Sequence, residues 1–312
     1  MAEGTSSNDI DAKYRSRKEN GRYVIPWGGG RPSASSIFKW YFGEPDNSGV
    51  RGTWKNLWRF KDEELEKDLP VIFPDSHTLN NPPEDALQVT WIGHATVLVQ
   101  MDGLNILTDP VFNDYCGPYR LFGNKRYRPL PCTVAELPDI DAVIISHNHY
   151  DHLDHTSVKD LDKKFGSKIS WYVPMGIGQW LKDCGCENVK ELEWWEEGKH
   201  SKGSVSFHLT PSQHWCRRTA TDENVALWGS WSIVGTKHRF FFGGDSGYCD
   251  VFKLIGQKFG PFDLAAIPIG AYEPRWFMKF QHTDPQDAVK MHKDLKAKHS
   301  VAIHWGTFAL AN

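Results

Sequence analysis

The sequence predicts an α/β sandwich, in which two β-sheets face each other inside and helices cover them outside. From residue 87 to the end, short runs rich in β-branched and aromatic residues recur, and segments with helical spacing separate some of them. The continuous apolar run 142–145 is typical of a strand that is buried on both faces. Strands interspersed with helices in this way form layered α/β domains.

The expected strands are short and most end near Gly, Pro, Asn or Asp residues. They cover residues 87–92, 96–101, 105–107, 142–146, 169–173, 205–210, 226–234, 239–242, 264–269 and 300–303. Among them, the segment 96–101 is expected to be half-buried.

One helix has clear boundary signals. Thr283 or Asp284 can cap its free N–H groups, and Pro285 suits the first turn. Apolar residues then recur at helical spacing. A shorter charged helix is expected near residues 61–68.

The chain is expected to have three parts. Residues 1–20 are polar and predict a disordered tail. Residues 21–85 contain scattered Trp, Gly and Pro, and predict an arm that packs on the main domain. Residues 86–312 form the main domain, and a chain of 312 residues can bury an ample core.

Composition excludes several classes of protein. The chain is 40% hydrophobic and 24% charged, which is ordinary for a soluble protein. A net charge of -3 leaves no basic footprint for nucleic acid. No apolar run approaches the ~20 residues of a membrane span, and no secretory signal is expected at the N-terminus. The six cysteines are therefore predicted to be reduced thiols in a cytosolic compartment.

The motif that carries chemistry follows the apolar run directly. Residues 147–152 read His-Asn-His-Tyr-Asp-His. Three imidazoles and a carboxylate at this density would be costly to bury without partners. A bound metal ion removes that cost, because each ligand lone pair gains a strong acceptor.

Three further residues of ligand type lie farther along the chain. His214, Asp245 and His304 each follow shortly after an expected strand. Sites in α/β sheets assemble at the carboxyl ends of strands, so we expect these side chains to converge with the motif. The two glycines before Asp245 allow the backbone to approach its neighbours closely.

Two other polar residues have alternative interpretations. Asp109 either orients a ligand histidine or caps the turn before Pro110. His94, on a turn between two strands, is interpreted as an ordinary residue that could flank the site.

The full pattern resembles the metallo-β-lactamase superfamily. After His-x-His-x-Asp-His, the single His, Asp and His follow at spacings of 62, 31 and 59 residues. The resemblance implies an αββα sandwich that holds two Zn²⁺ ions, although nitrogen and oxygen ligands also suit iron or manganese. The implied ligands are His147, His149 and His214 for one ion, Asp151, His152 and His304 for the other, and Asp245 as the bridge between them.

Longer stretches resemble the family of N-acylphosphatidylethanolamine-hydrolysing phospholipases D. The resemblance runs from about residue 21 to the end, and the segment 271–278 is its most specific part. The other similar segments are 91–96, 107–110, 146–154, 210–216, 227–232, 259–270 and 303–312.

This resemblance implies a zinc-dependent phosphodiesterase. It would hydrolyse N-acylphosphatidylethanolamine to N-acylethanolamine and phosphatidic acid, by attack of a zinc-bridging hydroxide on phosphorus. The implied catalytic residues are Asp245 and His282, and the implied substrate contacts are Tyr150, Gln281 and His282.

The resemblance also implies partners and a location. A homodimer would lie peripherally on the cytosolic face of internal membranes and bind a membrane phospholipid. Two stretches, 174–181 and 272–278, carry apolar and aromatic groups that either contact the membrane or pack in the core.

Two alternatives stay open at this stage. The chain ends at Asn312, eight residues after His304, whereas the family continues with further C-terminal structure. The protein could therefore be a catalytically inactive truncated form. It could also be a soluble lactonase or small-molecule phosphodiesterase of the metallo-β-lactamase fold.

Overall fold

A computed structural model describes most of the chain. The described residues are 13–28, 35–36, 39, 62–119, 122–202 and 204–310. Residues 1–12 of the predicted tail and most of residues 29–61 of the predicted arm lie outside the described residues.

Helices lie between some of the described strands, as expected. The strands are β1 Arg17–Glu19, β2 Arg22–Val24, β3 Gln88–Gly93, β4 Thr96–Met101, β5 Leu104–Thr108, β6 Tyr115–Tyr119, β7 Phe122–Lys125, β8 Ala142–Ile144, β9 Ser170–Pro174, β10 Val189–Leu192, β11 Glu197–Lys199, β12 Ser206–Thr210, β13 Ser230–Val234, β14 Arg239–Phe242, β15 Leu264–Pro268 and β16 His299–Ile303. The helices with described bounds are α1 Asp62–Asp68, α2 Ser76–Asn80, α3 His155–Phe165, α4 Gly178–Asp183, α5 Val251–Lys258, α6 Arg275–Met278 and α7 Pro285–Asp294.

Two six-stranded sheets form the centre of the fold. The first has the order β10-β9-β8-β5-β4-β3 and the second the order β11-β12-β13-β14-β15-β16. In each sheet an antiparallel half continues into a parallel half, so that β5, β8, β9 and β10 run together, as do β14, β15 and β16. The hairpins β1-β2 and β6-β7 lie outside the two sheets.

Alternating side chains in the second sheet show how the layers stack. On β14, Phe240 and Phe242 belong to the core shared with the first sheet, whereas Phe241 points to the cluster that includes α5 and α7. Successive side chains on a strand point to opposite faces. One face of this sheet therefore packs on the first sheet and the other on helices, which confirms the predicted αββα sandwich.

Asp284 caps helix α7 as the sequence predicts. Its side chain accepts a hydrogen bond of 2.7 Å from the Asp287 backbone N–H, and Pro285 occupies the first turn. The buried Ala288 and Met291 then face the second sheet's outer cluster.

Two sequence expectations about the fold need correction, and several strands were missed. Strand β4 is buried at all six positions rather than half-buried, because the second sheet packs on one face of the first sheet and other segments of the chain cover its outer face. Strand β13 begins at Ser230, four residues later than expected. The hairpins β1-β2 and β6-β7 and the edge strands β10 and β11 are absent from the expected strands.

The predicted disordered tail, residues 1–20, includes residues that pack on the main domain. Tyr14 is only 5% exposed and packs in the helix-side cluster with Phe252. Farther on, the buried Tyr23 donates a 2.6 Å hydrogen bond to Glu193 and its backbone N–H donates to Asn224. Residues 13–28 are therefore tied to the main domain.

Candidate metal centre

Six chain segments of the site follow strands that end at the same edge of the sandwich. Strands β3, β5 and β8 of the first sheet run in one direction, and β12, β14 and β16 of the second also share a direction. Directly or shortly after them come, in that order, His94, Asp109, the 147–152 segment, His214, Asp245 and His304. The two sheets therefore deliver all seven predicted ligands to one place.

Close approach of the two sheets requires glycine before Asp245. Gly244 has a φ of 54°, and a Cβ there would lie 2.4 Å from Cβ of Ser146. A side chain at Gly243 would lie 2.8 Å from Pro268. The prediction of a close backbone approach is confirmed.

The first group of ligand atoms comes from three histidines. Nε2 of His147 lies 2.8 Å from Nδ1 of His149, and Nε2 of His214 lies 3.3 Å from the same nitrogen. His147 and His214 are almost completely buried. Three nitrogen atoms thus converge on one point.

The second group contains carboxylate and imidazole atoms. Nε2 of His152 lies 3.3 Å from Oδ2 of both Asp151 and Asp245. Nε2 of His304 lies 3.5 Å from the Asp151 oxygen and 3.0 Å from the Asp245 oxygen. The same Asp245 oxygen is 3.7 Å from Nε2 of His214, so this carboxylate lies between the two groups.

The spacing and chemistry of these atoms fit divalent cations. Tetrahedral bonds of about 2.0–2.2 Å place neighbouring ligand atoms roughly 3.3–3.6 Å apart, close to most of the observed separations. Nε2 of His152 and His304 and Oδ1 of Asp245 are buried and have no hydrogen-bond partner among the described residues. Such atoms are costly to bury unless a cation accepts their lone pairs.

Asp109 orients two of the ligand histidines. It lies 2.7 Å from Nδ1 of His152, which donates to it because a carboxylate only accepts. Ser146 donates to Asp109 through both its backbone N–H (2.7 Å) and its hydroxyl (2.5 Å). The Ser146 oxygen in turn accepts from Nδ1 of His147 at 2.8 Å. Both histidines are thereby left with a free Nε2 lone pair toward the site.

We expect Asp109→Ala to lower the free energy of unfolding by about 3–5 kcal/mol, because it leaves buried donors of Ser146 and His152 without an acceptor. Urea unfolding of the metal-free protein measures this loss. Asp139→Ala is the control, since this carboxylate is 81% exposed and should change stability by less than about 0.5 kcal/mol. Equal stability of the two variants would contradict the structural role of Asp109.

Burial lowers the pKa of several site histidines, whereas neighbouring carboxylates raise the pKa of His304. Burial lowers the pKa of His149 to about 4 and that of His94, His214 and His282 to about 3. Burial also opposes the charge on His304, but Asp245 and Asp151 outweigh it and raise its pKa to about 9. The carboxyl pKa of both Asp151 and Asp245 lies well below its usual value, since the neighbouring histidines outweigh burial.

The predicted substrate contacts line the edge of the site in different ways. Nδ1 of His282 lies 3.8 Å from the Asp245 carboxylate and has no hydrogen-bond partner among the described residues. Gln281 contacts a ligand through its backbone, because its carbonyl accepts from Nδ1 of His214 at 3.0 Å. The Tyr150 hydroxyl donates to the Arg218 carbonyl at 2.8 Å.

Arg218 braces the ligand segment, a role that the sequence did not reveal. Its guanidinium donates to the carbonyls of Asn148 at 3.0 Å and Leu153 at 2.7 Å, on either side of the last ligands. The same group lies 4.2 Å from the Tyr150 ring centre and 4.8 Å from that of Trp180. These contacts join distant parts of the chain, so no local pattern predicts them.

His94 belongs to the site more closely than its interpretation as an ordinary residue implies. The structure places it 2.9 Å from Asp151, inside the second group of ligand candidates. A signal was available, because His94 follows strand β3 just as the other site residues follow their strands.

A groove of about 1120 Å³ opens over the ligands. Its floor includes the ligand residues His149, Asp151, His214, Asp245 and His304. Its described walls carry apolar side chains together with a few charged ones from the 13–28 segment and the 214–223 loop. The apolar residues include Ile25, Trp215, Phe277, Met278, Phe280 and Leu310.

Comparison with known proteins agrees with this fold and site. The family model described as a beta-lactamase superfamily domain matches residues 104–305. Igni18, a metallo hydrolase from Ignicoccus hospitalis, superposes with a TM-score of 0.53 at 20% identity, over 70% of this chain and 82% of its own. The fold and the ligand cluster therefore define a metal-dependent hydrolase of the β-lactamase superfamily.

Curated relatives identify the family within this superfamily. N-acyl-phosphatidylethanolamine-hydrolyzing phospholipase D 1 of Caenorhabditis elegans is 42% identical over 303 residues, which cover 94% of this chain and 81% of the relative. The mitochondrial N-acyl-phosphatidylethanolamine-hydrolyzing phospholipase D of Saccharomyces cerevisiae is 38% identical over 71% of this chain and 48% of its own length. The chain belongs to the N-acyl-phosphatidylethanolamine-hydrolysing phospholipase D family.

Proposed function

We propose that this enzyme is a zinc-dependent phosphodiesterase that hydrolyses N-acylphosphatidylethanolamine to N-acylethanolamine and phosphatidic acid. The observation that carries the proposal is a seven-residue ligand cluster, five of whose members form the floor of a large groove with many apolar side chains. Such a groove suits a substrate with a charged phosphodiester and long acyl chains. The substrate named in the two curated relatives supports this choice.

The proposed ligands are those that the resemblance implies. His147, His149 and His214 would hold one ion; Asp151, His152 and His304 would hold the other; and Asp245 would contact both. When bound, two divalent cations neutralise charge on the phosphate and lower the pKa of the attacking water. Ligation by imidazole and carboxylate favours zinc over softer or harder metals.

The side chains around the ligands would position the substrate and move protons. In the reaction, water adds to phosphorus, the P–O bond to the N-acylethanolamine breaks, and the departing oxygen takes up a proton. His282 borders the groove, and burial keeps its imidazole neutral with an unpartnered Nδ1. We therefore assign to it the transfer of the proton that the attacking water loses to the departing oxygen. Tyr150 and Gln281 also line the groove and would contact the lipid headgroup.

Hydrolysis in water enriched in ¹⁸O tests the proposal. The purified protein with bound zinc is incubated with vesicles of N-acylphosphatidylethanolamine, and both products are identified by mass spectrometry. We expect one N-acylethanolamine for each phosphatidic acid, with the label only in phosphatidic acid. Turnover of soluble lactones or small phosphodiesters without lipid cleavage would favour the alternative hydrolases, and bound metal without any turnover would favour an inactive form.

Contact with the membrane is proposed for one of the two aromatic stretches. In 174–181, Ile177 and Leu181 are fully buried and serve the core. In 272–278, Trp276 remains 36% exposed beside the groove-lining Phe277. Within the described residues, no helix is long and apolar enough to cross a bilayer. We propose a peripheral attachment through the second stretch, because Trp276 exposes an aromatic ring beside the groove.

Trp276→Asp is expected to weaken binding to phospholipid vesicles about tenfold, because a charge replaces an aromatic ring that favours the interface. Vesicle sedimentation measures the change. Val289→Asp is a matched control, since Val289 is 54% exposed on helix α7 and should bind vesicles as the unaltered protein does. Equal weakening by both substitutions would place the contact elsewhere.

We also propose the remaining partners that the resemblance implies. The enzyme would be a homodimer attached peripherally to the cytosolic face of internal membranes, without binding nucleic acid. Sedimentation equilibrium of the metal-loaded protein tests the dimer, and a monomer at micromolar concentration would contradict it.

A further inference from the structure

A histidine outside the seven predicted ligands lies against the second ligand group. His94 is 1% exposed, and its Nε2 lies 2.9 Å from Oδ2 of Asp151. Its ring centre is 4.2 Å from that of His304. The contact joins the β3-β4 turn to the ligand segment, which lies 57 residues farther along the chain.

The backbone of this turn is joined to the loop that carries His304. His94 has a φ of 53°, a left-handed conformation that is unfavourable for a residue with a large side chain. Its N–H donates to the Thr307 hydroxyl at 2.6 Å, and its carbonyl accepts from the His304 N–H at 2.9 Å. The Trp91 indole donates to the same carbonyl at 2.9 Å. These bonds keep the imidazole directed at Asp151 despite the unfavourable conformation.

The direction of the hydrogen bond follows from the chemistry of its two partners. An ionised carboxylate can only accept, so Nε2 of His94 carries the hydrogen and donates it to Asp151. A nitrogen that carries a hydrogen does not ligate a metal, so this atom is not itself a ligand. The bonded Asp151 oxygen is the one that lies 3.3 Å from Nε2 of His152 and 3.5 Å from Nε2 of His304.

We propose that His94 is a positioning residue of the second ligand group, where its Nε2–H holds the Asp151 carboxylate at the separation from His152 and His304 that a bound divalent cation requires. The inference rests on the proposed function only in that the site must hold metal. Hydrogen bonds of this kind orient metal ligands, and losing one typically lowers metal affinity by about 10–100-fold.

Zinc titration against a competing chromophoric chelator tests this role without any activity measurement. In the unaltered protein we expect two zinc equivalents with separate affinities. His94→Phe keeps an aromatic ring but removes the donor, and should weaken one affinity by about 10–100-fold while leaving the other within about threefold. His94→Gln keeps an N–H donor and should recover most of the lost affinity. His299→Phe replaces an exposed histidine at the other end of β16 and should bind both ions normally.

Each outcome decides the role of His94. Two unaltered affinities in folded His94→Phe would overturn it, as would equal weakening of both. If His94→Phe does not fold, His94→Gln decides alone, because a loss of affinity despite the retained donor would overturn the role of the hydrogen bond. Failure of the proposed function appears separately, as an unaltered protein that binds two zinc ions and does not cleave the lipid.

Discussion

Replacing Asp245 with Asn is expected to reduce turnover by at least about 10³-fold, which corresponds to roughly 4 kcal/mol of lost transition-state stabilisation. The Asp245 Oδ2 atom lies 3.0 Å from Nε2 of His304 and 3.7 Å from Nε2 of His214, so one carboxylate serves both ligand groups. The neutral amide supplies neither the charge nor a second anionic oxygen. Metal analysis should find at most one bound equivalent, against two in the unaltered protein.

Asp263→Asn is the matched control for this substitution. Asp263 precedes β15 at the opposite end of the same sheet, where it accepts from the Arg239 N–H at 2.8 Å and from Lys298 at 2.7 Å. The same chemical change there should leave turnover within about threefold, since it affects no ligand. Near-normal turnover of Asp245→Asn with two bound ions would contradict the bridging role.

Local sequence patterns predicted the layers of the fold because most strands of the two sheets carry their own signal. The edge strands β10 and β11 carry none that was recognised. The bounds of 96–101 and 239–242 agree with β4 and β14. Burial of β4 on both faces depends on what packs over it, which a strand's own residues do not specify. The hairpin β6-β7 is rich in Gly and Pro, and its pairing shifts register between Cys116 and Tyr119. It therefore lacks the alternation by which strands are recognised.

The site could be predicted to the extent that its residues follow strands. All seven ligand candidates come soon after strands whose carboxyl ends share an edge, so their convergence follows from topology. The contacts that hold the ligand segment and the groove wall in place do not follow from topology, because they join residues far apart in the sequence. Arg218 bonds to Asn148 across 70 residues, and Asn224 bonds to Tyr23 across 201. The groove wall depends on such contacts, because residues 19–25 reach the site only by folding back on the 214–224 loop.

Removing the metal is expected to abolish turnover and to lower the midpoint of thermal unfolding by about 8–16 °C for each tightly bound ion. Free metal at about 1,000 times its dissociation constant stabilises the folded state by about 4 kcal/mol. For a domain of this size, each kcal/mol of stabilisation shifts the midpoint of thermal unfolding by roughly 2–4 °C. The physical source is the set of buried atoms of His152, His304 and Asp245 that have no other described partner. Melting curves after chelation and after return of single metals measure the effect.

The order in which metals restore the midpoint and turnover identifies the ion. Zinc is expected to restore both, and iron or manganese less completely, because imidazole dominates the ligand set. Calcium should restore neither, since it prefers six to eight oxygen ligands and only Asp151 and Asp245 supply carboxylate oxygens among the seven ligand candidates. Identical melting curves with and without chelation would mean that the seven side chains satisfy one another without a cation. The distances between their nitrogen and oxygen atoms would then reflect packing alone.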